Sequence, residues 1–203
     1  MRYLCALALL ASVACGSAVE TAWVKAGYQP ASETAIKRIV VAGWAPAEHE
    51  RLAQVLSTVA SDRIKLKMNY LVFDTAVLTR GWSDACGEAE GVLSIHALDV
   101  KSNNDDLGLH VVAELHSCKT GALVWRAEGL DDADPGDEDL TQLTQSYVSQ
   151  LGADAARYAV AVFLVLRDML ETLPDPTLTD DDILEKIELG GASESTRGLR
   201  RPT

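Results

Sequence analysis

Positive charge is scarce in this chain. Lysine and arginine number 18 against 30 aspartates and glutamates, a formal net charge of −12 at pH 7. Without a basic stripe to neutralise phosphates, the sequence argues against a nucleic-acid function. An acidic surface keeps a protein soluble and away from anionic lipid. Long apolar runs are lacking beyond the first residues. The most apolar internal stretch, Tyr158 to Leu166, is bounded by Arg157 and Arg167 and falls well short of the roughly 20 residues that a spanning helix needs. Catalytic signatures are lacking too: there is no nucleophile elbow and no glycine-rich phosphate loop, and Gly87-Glu88-Ala89-Glu90-Gly91 reads as a turn. In so acidic a chain a chance pair of carboxylates carries no meaning. The sequence offers no catalytic residues, and a non-enzymatic role is the expectation.

What is present at the N-terminus is informative. Arg2 gives a short positive start, Leu4 to Ala14 is apolar and small, and Ser12-Val13-Ala14-Cys15 follows. This reads as a lipoprotein signal over residues 1–14, with Cys15 as the lipidated residue. Small residues before Cys15 admit a peptidase, and the thiol is the nucleophile that takes a diacylglycerol. The alternatives are an ordinary secretory signal cut near Gly16 to Ala18, since Ser12 is a weaker residue than leucine at its position, or a buried helix from residue 1. Gly16 and Ser17, with no aspartate, favour sorting to the outer membrane. Loss of Arg2 with the leader makes the chain one unit more negative.

Of four cysteines, Cys5 leaves with the signal and Cys15 carries lipid. Cys86 and Cys118 remain, an even pair in an oxidising compartment, and a disulfide is expected; two free buried thiols are the alternative.

Residues 15–35 read as a tether, containing Gly, Pro and Ser without sustained periodicity. Its Trp23 and Tyr28 either dock on the domain or sit near headgroups. A single domain is expected over residues 36–189, and residues 190–203 read as a disordered tail. Ile36 to Gly43 reads as a strand ended by Gly43. Pro46 opens a helix to about Lys67, with Leu52, Val55, Leu56 and Val59 on one stripe. Tyr70 to Phe73 is a second strand. Val92–Leu98, Leu109–Leu115 and Ala122–Glu128 alternate, with turns at 103–106 and 117–121, and form an antiparallel meander. Burying Leu93, Ile95 and Ala97 together with Leu109, Val111, Ala113 and Leu115, and with Leu123, Trp125 and Ala127, requires odd residues to pair with odd. A turn centred near Asn103 then sets Gly91 opposite Leu115 and brings Cys86 toward Cys118, which supports the disulfide from geometry. After the acidic stretch 131–139, one helix is expected from Leu140 to Leu173. Thr179 caps a last short helix with Asp182 three residues on. Its Ile183, Leu184, Ile187 and Leu189 form a face too small to fold alone, which must pack on the domain or on a partner. The fold class is α+β: a mixed sheet of about five strands, including the three-stranded meander, packed by two long helices.

Two cation sites deserve weighing. His96, His110, Glu114 and His116 lie on the even, polar face of the meander and are of types that bind zinc or copper, but strand spacing keeps His110 and His116 from sharing an ion. Starting at Asp132, residues 131–139 place Asp134 correctly for calcium, but Gly136 and Leu143 occupy ligand positions. Neither pattern amounts to a metal site, and no cofactor is expected.

The stretch Thr120-Gly121-Ala122-Leu123-Val124-Trp125 resembles a unit found in periplasmic lipoproteins with a small α/β domain like the N-terminal domain of TolB. Together with Asn69-Tyr70, Cys86, Gly91-Val92-Leu93, Cys118 and the run from Leu173 to Leu189, residues 36–189 resemble an uncharacterised lipoprotein family of myxobacteria and leptospires. The resemblance implies a lipidated envelope protein and supplies no reaction. At the level of fold, similar domains occur in ring-forming accessory lipoproteins of curli and exopolysaccharide secretion. The expected function is a membrane-anchored envelope lipoprotein, a scaffold or accessory subunit, attached to the membrane by covalent lipid and partnered by an envelope protein or a second copy of itself. A periplasmic ligand- or metal-binding module is the alternative.

Overall fold

A computed structural model describes residues 18–103, 106–133 and 140–190. Cys15, the leader and residues 191–203 lie outside these. Six strands form one mixed sheet in the order β1-β6-β5-β4-β2-β3. They are β1 (Val19–Val24), β2 (Arg38–Trp44), β3 (Leu71–Val77), β4 (Gly91–Asn103), β5 (Asp106–Ser117) and β6 (Leu123–Ala133). Helices α1 (Glu50–Lys67), α2 (Thr141–Leu151), α3 (Ala156–Glu171) and α4 (Asp180–Glu188) complete the fold.

β2 is parallel to both β3 and β4, and its near-continuous apolar run fits a strand covered on both sides. On one face Ile39 and Val41 meet the α1 stripe of Leu52, Val55, Leu56 and Val59. On the same face, further along, Leu109, Val111, Ala113, Leu115, Trp125 and Ala127 join Tyr158, Val162, Val165, Leu166 and Met169 of α3. Gly43 does not end β2. It lies within the strand, and a Cβ there would stand 1.9 Å from the Ala53 carbonyl oxygen, so its lack of a side chain is what lets α1 close on the sheet. Gly43→Ala should push α1 outward and cost about 2–3 kcal/mol, read as a lower denaturant midpoint with an unchanged slope; an unaltered midpoint would refute the close approach.

The meander pairs as parity requires over β4 93–97 and throughout most of β5–β6: Leu93 faces Leu115, Ile95 faces Ala113, and Ala113 faces Ala127. The position along the strand differs from expectation, with Gly91 opposite Ser117 instead of Leu115. The closing pair is Asn103 with Asp106, and a bulge between Ala97 and Asp99 takes up one residue. The bulge restores odd-to-odd pairing and leaves Leu98 49% exposed.

Two further expectations are corrected. The segment read as a tether over residues 15–35 carries β1, which hydrogen-bonds along β6. Tyr28 packs against the core and its hydroxyl accepts a bond from the Ile36 amide. An edge strand has one partner and buries little, so five of the six β1 residues are exposed and no apolar pattern marks it. The single helix expected from Leu140 to Leu173 is two helices, because Gly152 adopts φ 92° and ψ 166°, a conformation open to glycine alone. Tyr147 and Tyr158 are buried on either side of this break, so the stripe runs on where the helix does not.

The C-terminal helix is fastened to the domain by charge. Thr179 and Asp182 form a reciprocal capping box. Asp182 also accepts from the Lys37 ammonium at 2.7 Å and from Arg38 at 3.1 Å, and Arg38 reaches Glu185 and Glu90. The Lys186 ammonium donates to the Met68 carbonyl. Before the helix, the Tyr70 hydroxyl donates to the Pro174 carbonyl and Asn69 binds Asp175. The segment is thus an internal clasp. Its apolar residues are not the adhesive: Ile183, Leu184 and Ile187 remain about half exposed.

Candidate functional site

The helices cover one face of the sheet. On the opposite face, strand alternation sets His110, Glu114 and His116 of β5 beside Arg126 and Glu128 of β6. Their side chains form one continuous ladder of alternating charge. His116 Nε2 donates to Glu114 Oε2 at 3.0 Å, and Arg126 donates to Glu114 Oε1 at 2.5 Å and to Glu128 Oε2 at 3.3 Å. His110 Nε2 lies 2.8 Å from Glu128 Oε1. At one end the ladder meets a small second core on this face, where Trp44 and Trp82 pack with Ala42, Leu78 and Val92. The Trp82 ring stacks on His116 at 4.4 Å and 10°, and Trp44 lies 5.8 Å from His96. His116 Nδ1 is buried there without a hydrogen-bond partner.

Cys86 and Cys118 are joined in a disulfide with Cα atoms 5.7 Å apart. The bond ties the short 3-10 turn Trp82–Ala85, which carries Trp82, to the turn after β5. The Cys118 amide also donates to the Glu90 carbonyl, so the two turns are held by backbone as well.

Hydrogen bonding to His116, and then to Arg126, holds the Glu114 carboxyl down at about 2, against the opposing effect of burial. Glu128 is lowered by His110 in the same way. Burial pushes the His96 imidazole below its ordinary range. A carboxylate whose value is lowered on folding stabilises the fold above its unfolded value and loses that contribution as pH falls through the folded one. Stability should therefore decline between about pH 5 and pH 2, and Glu114→Gln should flatten the decline in melts taken across that window. An equally steep decline in the variant would remove Glu114 from the account.

Of the four polar residues singled out in the sequence, His116 and Glu114 bond to each other, while His110 turns to Glu128 and away from His116. His96 sits by Trp44. Sequence reasoning missed three members of the face, Arg126, Glu128 and Glu20. Glu128 was legible, because alternation along Ala122–Glu128 puts it on the even side with Arg126. Glu20 was not. It sits at a register shift between Val19 and Thr21 in a segment read as tether, and a bulge re-aims the side chain it carries. Glu20, His110 and Glu128 bring one ligand atom each to within 4.8 Å of one another, a donor set of oxygen and nitrogen suited to a borderline divalent ion. Of the stretch weighed for calcium, 131–133 end β6, while 134–139 and the lipidation candidate Cys15 lie outside the described residues.

A separate open cleft of about 500 Å³ lies at the C-terminal ends of α1 and α3, lined by Arg63, Lys67, Met68, Leu170, Glu171, Leu173 and Asp175. Arg63 is spent on the Arg167 carbonyl and Glu171. Among the described residues no helix is long and apolar enough to cross a membrane.

No protein-family model matches the chain, and no curated protein matches it. Among solved structures it is similar to the PelC dodecamer from Paraburkholderia phytofirmans, at 19% identity over 76% of this chain and 99% of that one, TM-score 0.47. It is also similar to the hypothetical protein CT253 from Chlamydia trachomatis, at 12% identity over 68% and 96%, TM-score 0.39. Lipoprotein GNA1162 from Neisseria meningitidis is 11% identical over 57% and 96%, TM-score 0.37. These are partial likenesses of fold, and no function passes from them to this chain.

Proposed function

We propose that the protein is a lipid-anchored envelope lipoprotein at the periplasmic face of the outer membrane, acting as a non-enzymatic scaffold or accessory subunit. The observation that carries this reading is the half-covered sheet. Helices occupy one face; the other presents a charge ladder whose groups are engaged with one another beside two tryptophans. Such a surface is built to be touched, since its acids and bases are already neutralised in pairs and none is poised on a nucleophile. The lipobox supplies the anchor.

Two experiments test the two halves of the reading. Cys15→Ser should abolish acylation and release the protein from the membrane fraction; normal maturation and retention would refute the anchor. A photo-crosslinking residue at Trp23, exposed on β1 opposite Arg126, should capture a partner in the intact envelope, whereas one at Arg51 on the helical layer should not. Capture at neither position, or equally at both, would refute the open face as the scaffold surface. The Glu20, His110 and Glu128 cluster favours a second reading, a metal-binding module. Zinc bound stoichiometrically by the purified protein and lost in His110→Ala would establish it, and its absence would set it aside.

A further inference from the structure

We infer that a borderline divalent ion of zinc type, held by Glu20, His110 and Glu128, clamps the edge strand β1 to the sheet. This deepens the metal-binding reading and rests on it.

The argument starts from how lightly β1 is otherwise held. It has one strand partner, β6, and five of its six residues are exposed. Ala18 and Val19 pack against the core where the strand begins. Further along, Trp23 and Val24 stay 48% and 41% exposed, so the outer half of β1 depends on its backbone bonds to β6. Exposed backbone bonds with little apolar burial behind them open at low cost. The register then shows where a side chain could help. Val19 lies opposite Gly129 and Thr21 opposite Glu128, so Glu20 is the extra residue of a bulge. The bulge turns Glu20 toward Glu128 of β6 and His110 of β5, and one ligand atom from each lies within 4.8 Å of the others. Three adjacent strands contribute one donor apiece.

Distance and charge both suit an ion there. Tetrahedral ligands at about 2.1 Å from zinc stand roughly 3.4 Å apart. A movement of about 1 Å closes the set, and Glu20, which is exposed, can supply it by rotating. Without an ion, Glu20 brings a second carboxylate up to Glu128, and like charges on neighbouring strands repel. A divalent ion turns that repulsion into a cross-link. Glu128 is already positioned for it: Arg126 donates to Oε2 at 3.3 Å, while Oε1 lies 2.8 Å from His110 Nε2. The ion enters between Oε1 and Nε2, and the imidazole proton that bridges them leaves to solvent. Two carboxylates then balance the two charges of the ion. The imidazole nitrogen selects zinc over calcium and magnesium, which take oxygen ligands. The fourth position falls to water.

The test uses the full chain, stripped of metal and then given one equivalent of zinc or of calcium. Amide hydrogen exchange is followed by mass spectrometry, and zinc affinity by calorimetry. Zinc should slow exchange in β1 and in residues 125–129 by about tenfold or more, and leave β2 and α1 unchanged; calcium should slow neither. Glu20→Gln alters an exposed side chain, so the metal-free variant should melt with the metal-free parent. It should bind zinc more weakly by at least about tenfold and lose the protection of β1. Zinc bound through His110 but equally well by Glu20→Gln would overturn the clamp and leave the metal-binding reading standing. Zinc bound without slower exchange in β1 would do the same. Equal protection by calcium would overturn the assignment of the ion. A parent that binds no zinc would overturn both the clamp and the reading beneath it.

Discussion

Asp182→Ala should be among the most costly single substitutions outside the apolar core, destabilising the protein by about 3–5 kcal/mol. Asp182 and Lys37 are both nearly buried, with side chains 6% and 9% exposed, and their ion pair closes at 2.7 Å. The carboxylate is also the second half of the Thr179 capping box and a partner of Arg38. The alanine leaves a lysine ammonium out of water without a counter-charge, frees the first turn of α4, and removes one of the two α4 carboxylates that hold Arg38. For a chain of this size the loss corresponds to roughly 6–20 °C in melting temperature. The pair itself has little net value against an apolar replacement of similar volume. Lys37→Met combined with Asp182→Leu should therefore recover much of what the single change removes. A single variant that melts with the parent would show that α4 detaches at no cost. A double variant as unstable as the single would place the effect in the cap.

Loss of the Cys86–Cys118 disulfide should come close behind, at about 3–4 kcal/mol. The bond spans 32 residues, and closing a loop of that length restricts the unfolded chain by about this amount. The loop contains all of β4 and β5, so its release frees the whole first hairpin of the meander in the denatured state. The melt in reductant and that of Cys86→Ser/Cys118→Ser should agree with each other and lie roughly 6–16 °C below the oxidised protein. Near-ultraviolet dichroism should change at the same time, since Trp82 sits in the tethered turn and stacks on His116. Coincident melts of oxidised and reduced protein would refute the contribution.

The sequence revealed what repeats and concealed what pairs at a distance. Alternation in β4, β5 and β6 identified the meander and its core face, because those strands bury one side against α3. It misjudged the position of Gly91 by two residues, because the turn closes Asn103 on Asp106, past the expected centre, and the bulge at Leu98 takes back only one residue. The Thr179 cap was legible, being a local chemistry of four residues. Its partner Lys37 was not, because the contact joins residues 145 apart and a lysine preceding a strand reads as solvated. Gly152 was visible as a glycine but gave no sign of its backbone conformation, the apolar stripe being continuous through it. Of the polar face, parity supplied His96, His110, Glu114 and His116, and the same alternation carried on into β6 places Arg126 and Glu128 there. Glu20 required knowing that an exposed segment adds an edge strand. Its pairing with β6 is satisfied by backbone bonds, which any sequence can make.

That edge strand also sets an order of events. Val19 pairs with Gly129, so β1 has no partner until more than half of the chain has been made and delivered. Local structure in the intervening hundred or so residues forms first, and the closure across it follows. Until then β1 stays without a strand partner. Only when β6 is in place does the first strand zip to it, drawing in the slack. The pairing of β1 with β6 is thus a late step that ties the start of the domain to a strand made long after it.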